Sequence, residues 1–319
     1  MTLGNPDRPV GGIAVKAPNG VELRPVGRDD FADALALVRE LYALPHADPE
    51  PHRAAFEALV NDPDATPFVA IADGEVAGYI GHRLRRRLNH ATFEGWVSDL
   101  VVRERFRGRG IGRALLAAAI AEWRLRGGHQ VMLEAGYERT AARGLYEAAG
   151  FVNKGKYFEI APVVTRAVEP AGGVEIRPIV DDEDDFTAAT NLLAELTRPA
   201  PTDETLAALR RTYVEHVGRA GTGSLLALAD GVPVGFVSLE FRQPFFTTQP
   251  QGWIPDLIVT EAARGRHVGA ALLDAAFAEA LRRGAYAVAL ESGQHRTVAH
   301  RLYTEAGMVD VGSFYTLVR

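Results

Sequence analysis

The sequence predicts an α/β (α+β) fold built twice in tandem, each copy a mixed, mostly antiparallel sheet flanked by helices. Three observations carry that expectation. The first is a duplication at an offset of 157 residues: Ala72 to Pro162 matches Ala229 to Arg319 without a gap at 37 of 91 positions. A repeat of that period is far longer than the roughly 20–50 residues of a solenoid unit, so it marks two whole domains. The second is that helical and strand-like patterns alternate in the same order in both halves, with helices separating runs of strands. The third is length, since 319 residues is about two domains.

Taken in order, residues 1–19 hold Gly4, Pro6, Pro9, Gly11, Gly12 and Pro18 and read as a loosely docked tail. Val21 to Pro25 reads as a first strand, with a twin at Val174 to Pro178. Phe31 to Tyr42 has apolar residues at helical spacing behind a cap at Asp29 or Asp30, and a second helix is expected near Pro51 to Val60. Phe68 to Ala72 and Val76 to Leu84 are strands joined by the hairpin signal Asp73-Gly74. Glu94 to Val102 is another strand. Gly110 to Arg126 is a long Ala/Leu-rich helix that stops at Gly127-Gly128. Val131 to Ala135, Thr140 to Ala149 and Lys156 to Ile160 complete the half as strand, helix and strand. The expected organisation is a tail at 1–19, domains at 20–167 and 174–319, and a linker at 168–173.

Composition narrows the function classes. Apolar residues make up 47% and charged residues 24%, ordinary values for a globular enzyme. A net charge of −6 argues against a general nucleic-acid binder. With no cysteine there is no disulfide scaffold, thiolate metal site or cysteine nucleophile in this sequence. No apolar run reaches the 18 residues of a membrane span, and Met1 to Asp7 lacks the basic start and apolar core of a signal peptide. A soluble, cytoplasmic protein without a membrane or nucleic-acid partner is expected.

The chemistry gathers where an apolar strand meets a glycine-rich loop and a long helix. Glycines in Arg107-Gly108-Arg109-Gly110-Ile111-Gly112 let the backbone turn tightly and approach a ligand. The first amides of the following helix lack intrahelical partners and carry the positive end of its dipole, while Arg107 and Arg109 add charge for a diphosphate. Neither Gly-x-Gly-x-x-Gly at the first strand nor Gly-Lys-Ser/Thr is present, so Rossmann and Walker loops fit less well. Leu100-Val101-Val102 is followed by Arg107-x-x-Gly110-x-Gly112 and then by Leu145-Tyr146-x-x-x-Gly150-Phe151. In these motifs the chain bears a resemblance to the GNAT superfamily of acyl-coenzyme A-dependent N-acetyltransferases. The resemblance returns in Leu257-Ile258-Val259, Arg264-x-x-His267-x-Gly269 and Leu302-Tyr303-x-x-x-Gly307-Met308. It covers most of residues 20–161 and 174–319.

That resemblance implies acetyl-CoA as cosubstrate and no metal. It implies that Leu100, Val101 and Val102 pair with the pantetheine arm. The pyrophosphate would rest on Arg107, Gly108, Arg109, Gly110, Ile111, Gly112 and Arg113. Tyr146 would lie near the thioester sulfur and protonate the departing thiolate. Glu134, twelve residues earlier, is the base in members with this spacing, with Glu291 as its twin. Departures are Arg139 and Arg296, where the family often has Asn, Met308 in place of Phe, and His267 in place of Gly110. A side chain at 267 obstructs a diphosphate unless histidine takes left-handed geometry. Asp99 and Asp256 read as hydrogen-bonded strand carboxylates, and His82 and His90 as exposed hairpin residues. The run Arg83, Arg85, Arg86, Arg87 reads as a solvated strand edge. Asp181 to Asp185 reads as a helix start.

The resulting expectation is an N-acetyltransferase acting on a primary amine of a small molecule or peptide. The amine attacks the thioester directly, and a strand amide near Leu100 to Val102 stabilises the oxyanion. The main site is expected in the first half. The alternatives are a non-catalytic acyl-CoA sensor or scaffold, and catalysis mainly in the second half, as in tandem members of the mycothiol-synthase type.

Overall fold

The computed structural model describes residues 17–44, 48–170, 173–196 and 201–318. The expected tail at 1–19 therefore falls almost wholly outside the described residues. The first half runs β1 (Val21–Pro25), α1 (Phe31–Tyr42), α2 (Glu50–Asn61), β2 (Phe68–Ala72), β3 (Glu75–Arg86), β4 (Phe93–Val102), α3 (Ile111–Arg126), β5 (Gln130–Gly136), α4 (Thr140–Ala148) and β6 (Val152–Ile160). The second half runs β7 (Val174–Pro178), α5 (Glu183–Ala194), α6 (Asp203–Gly218), β8 (Leu225–Ala229), β9 (Val232–Val237), β10 (Glu240–Arg242) and β11 (Gln251–Trp253). It continues with β12 (Leu257–Val259), α7 (Val268–Arg282), β13 (Ala287–Gly293), α8 (Thr297–Glu305) and β14 (Val309–Val318).

Each half is a sheet between two helical layers, as the amphipathic periodicity demands. In the first half α1 and α2 bury Phe31, Leu35, Val38 and Phe56 on one face, and α3 buries Leu115, Leu116, Ala119 and Trp123 on the other. The second half repeats this with Phe186, Leu192 and Tyr213 on one side and Leu272, Ala276 and Phe277 on the other. The Asp73-Gly74 hairpin is tight, both residues having positive φ. Asp182 caps α5 by accepting from the Asp185 amide at 2.7 Å, so the acidic cluster is a helix start, as expected.

The halves are not separate. Ten strands form one sheet in the order β1-β2-β3-β4-β5-β14-β6-β13-β11-β10, with β12-β9-β8-β7 as a second. The last strand of each half is exchanged: β14 pairs with β5 of the first half, and β6 pairs with β13 of the second. The exchanged strands then pair with each other. Tyr315 of β14 completes the core under α3, and its sequence twin Phe158 of β6 completes the core under α7. Each lies against the other half's Leu-Tyr tyrosine, with ring centroids 6.0 Å apart for Tyr146–Tyr315 and 5.4 Å for Phe158–Tyr303. The turns after β3 and β10 are exchanged too. Leu88 packs among the α5/α6 residues, and its twin Phe245 packs between α1 and α2.

Candidate active site

Parallel pairing between β4 and β5 covers only residues 94–97 with 130–133. A bulge between Gly81 and His82 leaves Ser98 as the extra residue of β4, and beyond it the two strands part. Residues 98–102 thus keep a backbone edge that no strand covers on the β5 side. Val101 points into the α1/α2 core, while Leu100 and Val102 pack on the α3 side. At the end of β4 the loop turns through Gly108 (φ 78°) and Gly110 (φ 80°), both left-handed, and α3 begins. Arg107, Gly108, Arg109, Gly110 and Arg113 are exposed, Gly112 is half-buried, and Ile111 is a core residue that offers only its backbone. Arg107 Nε donates to the Val102 carbonyl at 3.1 Å, and Arg109 pairs with Asp73 at 2.7 Å. With both arginine side chains engaged, it is the backbone of this turn that is left exposed.

Where the strands part, a cavity of about 810 Å³ opens. Tyr146, Glu134 and Leu100 line it together with Trp96, Asp99 and Tyr42. The second half closes it through Arg242, residues 243–249 and Tyr286. Three of the expected site residues thus meet in one place, and the 107–113 loop stands apart at the far end of β4. Tyr146 is buried, and desolvation pushes its phenol up to about 12 against the lowering influence of Arg139. Asp99 accepts from Tyr42 Oη at 2.8 Å and from Ser98 Oγ at 2.6 Å, and burial raises its pKa. It is the hydrogen-bonded strand carboxylate that the sequence suggests.

Glu134 is more than a strand-end carboxylate. Its Oε2 accepts from Trp96 Nε1 at 2.8 Å, and Glu291 Oε2 accepts from Trp253 Nε1 at the same distance. The other oxygen of each carboxyl finds no other donor, and the twin carboxyls hydrogen-bond to one another between the halves. Two buried carboxyls in contact do not both ionise. The arginines decide which one keeps the proton. Arg85 Nη1 lies 3.6 Å and Arg87 Nη2 3.9 Å from Glu291, so the charge rests there. Burial, then the charge of Glu291, pushes Glu134 up to about 8, while Glu291 is lowered chiefly by Arg85 against its burial.

The basic run departs from expectation. Arg85 and Arg87 are buried, not solvated: both pair with Glu94, at 2.8 and 3.0 Å, and Arg85 lies 3.9 Å over Trp253. His82 is likewise buried at 1% exposure and His90 stacks on His129 at 4.1 Å, so neither is an exposed hairpin histidine. The alternating pattern gave no sign of this, because the face that reads as an edge is the seam between halves. Roles for Tyr42, Arg242 and Phe246 were also missed. The one signal in the sequence was the recurrence of Arg85 and Trp96 as Arg242 and Trp253.

The second half keeps the same frame with changes. Its strands pair only over 251–253 with 287–289, and Pro255, at the place of Ser98, lies in a full break between β11 and β12. His267 takes the left-handed geometry of Gly110, with φ 58°, so the turn survives and its side chain is exposed. Around Asp256 the first half intrudes. Arg87 Nη1 donates to the Pro255 carbonyl at 2.8 Å, and Asn89 Nδ2 donates to Asp256 Oδ1 at 3.0 Å.

The acetyltransferase (GNAT) family model matches residues 33–151 and again 187–308. The chain belongs to the GNAT acetyltransferase family. Among its relatives, the aminoalkylphosphonate N-acetyltransferase of Salmonella typhimurium is 33% identical over 130 residues, 41% of this chain and 84% of that protein. The aminoglycoside N(6')-acetyltransferase type 1 of Stenotrophomonas maltophilia is 32% identical over 128 residues, 38% of this chain and 80% of that one. Among solved structures, a GCN5-related N-acetyltransferase from Sphaerobacter thermophilus is similar over 95% of this chain and 97% of its own, at 25% identity and a TM-score of 0.63. A tandem GNAT protein from the clavulanic acid biosynthesis pathway covers 93% of this chain and 98% of its own, at 19% identity and a TM-score of 0.60. As a GNAT acetyltransferase, this chain is an enzyme of two linked copies. No helix among its described residues is long and apolar enough to cross a membrane.

Proposed function

We propose that the chain transfers an acetyl group from acetyl-CoA to a primary amine, with the main site in the first half. The observation that carries this reading is the cavity at the divergence of β4 and β5, where Tyr146, Glu134 and Leu100 converge. Acetyl-CoA supplies an activated acyl thioester. The residues present fit it: the uncovered edge of residues 98–102 suits an extended amide-bearing arm, and the left-handed turn at Gly108 and Gly110 suits a diphosphate. Arg107 to Arg113 hold the phosphates and Leu100 to Val102 hold the arm.

Within the cavity the chain's residues manage two protons. Glu134 in its ionised form accepts one from the incoming ammonium, directly or through a water. Tyr146 Oη stays protonated across the working range and donates towards the departing sulfur. Trp96 and Glu291 hold Glu134 in place. The acceptor is a small molecule or peptide terminus. The relatives are N-acetyltransferases of an aminoalkylphosphonate, an aminoglycoside and an N-alpha-amine, which share only the amine. Asymmetry favours the first half, because Arg87 and Asn89 fill the space beside Asp256 that lies open beside Asp99.

Titration with coenzyme A tests the reading. One tight site per chain is expected, weakened at least tenfold by Gly110→Val, about 1.4 kcal/mol or more. Tyr146→Phe is expected to lower kcat about 100-fold with little change in coenzyme A affinity. Two equal sites, or activity that survives Tyr146→Phe but not Tyr303→Phe, would place the chemistry in the second half. Binding without thioester cleavage across an amine panel would make the chain a sensor.

A further inference from the structure

Arg242 ends β10, so it belongs to the second half, yet it lines the acceptor cavity of the first. It also lines a smaller cavity of about 310 Å³ between the halves, and the two cavities share Arg83, Trp96 and Arg242 as their common wall. Its guanidinium lies 3.7 Å over the Trp96 ring. Nε donates to Gln251 Oε1 at 2.8 Å, and Nη1 is buried with no acceptor. No carboxylate among the described residues lies within ion-pair distance of it, unlike its twin Arg85, which has Glu94 at 2.8 Å. Arg83 beside it has only Asp62 at 3.4 Å.

The acids around Arg242 are otherwise committed. Asp99 is held by Tyr42 and Ser98, and Glu134 shares its proton with Glu291. Glu159 takes the Gln251 amide at 3.2 Å and is raised by burial, and Glu138 lies 3.6 Å from Arg139. In the smaller cavity Glu240 faces His216 at 3.6 Å, and Asp62 and Asp64 stand with Arg83, Arg85, Arg86 and Arg219. A guanidinium does not shed its charge, so a buried N–H with nothing to bind is costly unless a ligand completes it.

We propose that the acceptor is an amine that also bears an anionic group, a carboxylate or a phosphonate, and that Arg242 receives that group from across the seam. This rests on the transferase reading above and names the substrate class of that site. A planar fork braced on an aromatic face is suited to a carboxylate or phosphonate oxygen pair. The phosphates of acetyl-CoA are not the anion in question. Trp96 precedes Val102 by six residues, roughly 20 Å along the strand, and the phosphate turn lies beyond Val102. The amine end then lies towards Glu134 and Asp99, and the acidic end towards Arg242.

The test uses the full chain and length-matched amines: 4-aminobutyrate and 3-aminopropylphosphonate against n-butylamine. Acid-bearing amines are expected to have kcat/KM at least tenfold above n-butylamine. Arg242→Gln is expected to collapse that ratio towards one through KM, and Arg242→Lys to retain most of it. A merely structural clasp on Trp96 would lower all three substrates together and leave the ratio unchanged, which overturns the proposal. So does a wild-type preference for n-butylamine. Calorimetry of 3-aminopropylphosphonate with the coenzyme A-saturated protein separates the two readings. Binding that Arg242→Gln abolishes, without turnover of any amine, sustains the subsite and overturns the transferase. No binding, with n-butylamine turned over, does the reverse.

Discussion

Replacing Glu291 with Gln reaches Glu134, the proposed base of the first half, from the second half. Glu134 stands near 8 where an ordinary glutamate titrates near 4.5. That gap of about 3.5 units is about 5 kcal/mol against ionisation, at 1.36 kcal/mol per unit. Burial is the largest cause, followed by the charge of Glu291 and its hydrogen bond. Gln removes the charge but not the burial, and its amide can donate to the Glu134 carboxylate. It also frees Arg85 to act on Glu134. The acidic limb of the kcat/KM profile, near pH 8 in the parent, is therefore expected to move down by about one to two units and not all the way to 4.5. Glu134→Gln should abolish the limb. Stability gives an independent reading. The folded state retains a proton between about pH 4.5 and 8 that the unfolded chain has lost, so stability falls as pH rises through that window. Glu291→Gln should flatten that fall. A limb that stays put or moves to higher pH would refute the proton-sharing pair as the source of the shift.

Other perturbations separate packing from chemistry. Phe245→Ala empties a buried site between α1 and α2 and should cost about 3–5 kcal/mol in urea unfolding, with a raised acceptor KM because residues 243–249 wall the cavity. A loss below 1 kcal/mol would show that the exchanged turn does not hold the halves together. His82 has both ring nitrogens unpartnered, and burial pushes its pKa down to about 3. The unfolded chain thus binds the extra proton between pH 6.5 and 3, and stability rises with pH across that range and is lost on acidification. His82→Leu should lose less stability than the parent between pH 7 and 4; equal slopes would count against it.

Much of the fold was legible because helices and strands answer to local periodicity. Phe31–Tyr42 and Phe68–Ala72 fall where the pattern puts them, and the long helix misses by one residue at its cap. Strand exchange was not legible, for a physical reason. In a duplicated chain β6 and β14 carry near-equivalent faces, so either can complete either core, and nothing local distinguishes a partner within the half from one across it. The same ambiguity hid Arg85 and Arg87: a charged strand end looks solvated until a second copy supplies Trp253 and Glu291. Spacing against the family pattern singles out Glu134 and Tyr146, and both line one cavity, but the state of Glu134 depends on its own twin 157 residues away, which spacing does not place.

The exchange also explains why a duplicated enzyme need not have duplicated sites. Contacts across the seam come in twin pairs, and where both members are alike they build scaffold: Tyr315 with Phe158, Phe245 with Leu88, and Trp96 with Trp253, each ring under an arginine of the other half. Where the members differ, the two sites part. Ser98 forms a bulge that keeps β4 whole, while Pro255, lacking an N–H, sits where the second sheet divides. Phe246 stacks on Tyr42 at 4.7 Å and leaves the Asp99 side open, while its twin Asn89 bonds Asp256. Arg242 lines the first half's cavity without a carboxylate at ion-pair distance among the described residues, and its twin Arg85 is neutralised by Glu94. Arg87 and Asn89 thus occupy the place beside Asp256 whose counterpart beside Asp99 lies on the first half's cavity. On the proposed reading the second copy is thus part of the first copy's site, supplying its last strand, the wall of its cavity and the charge that acts on Glu134.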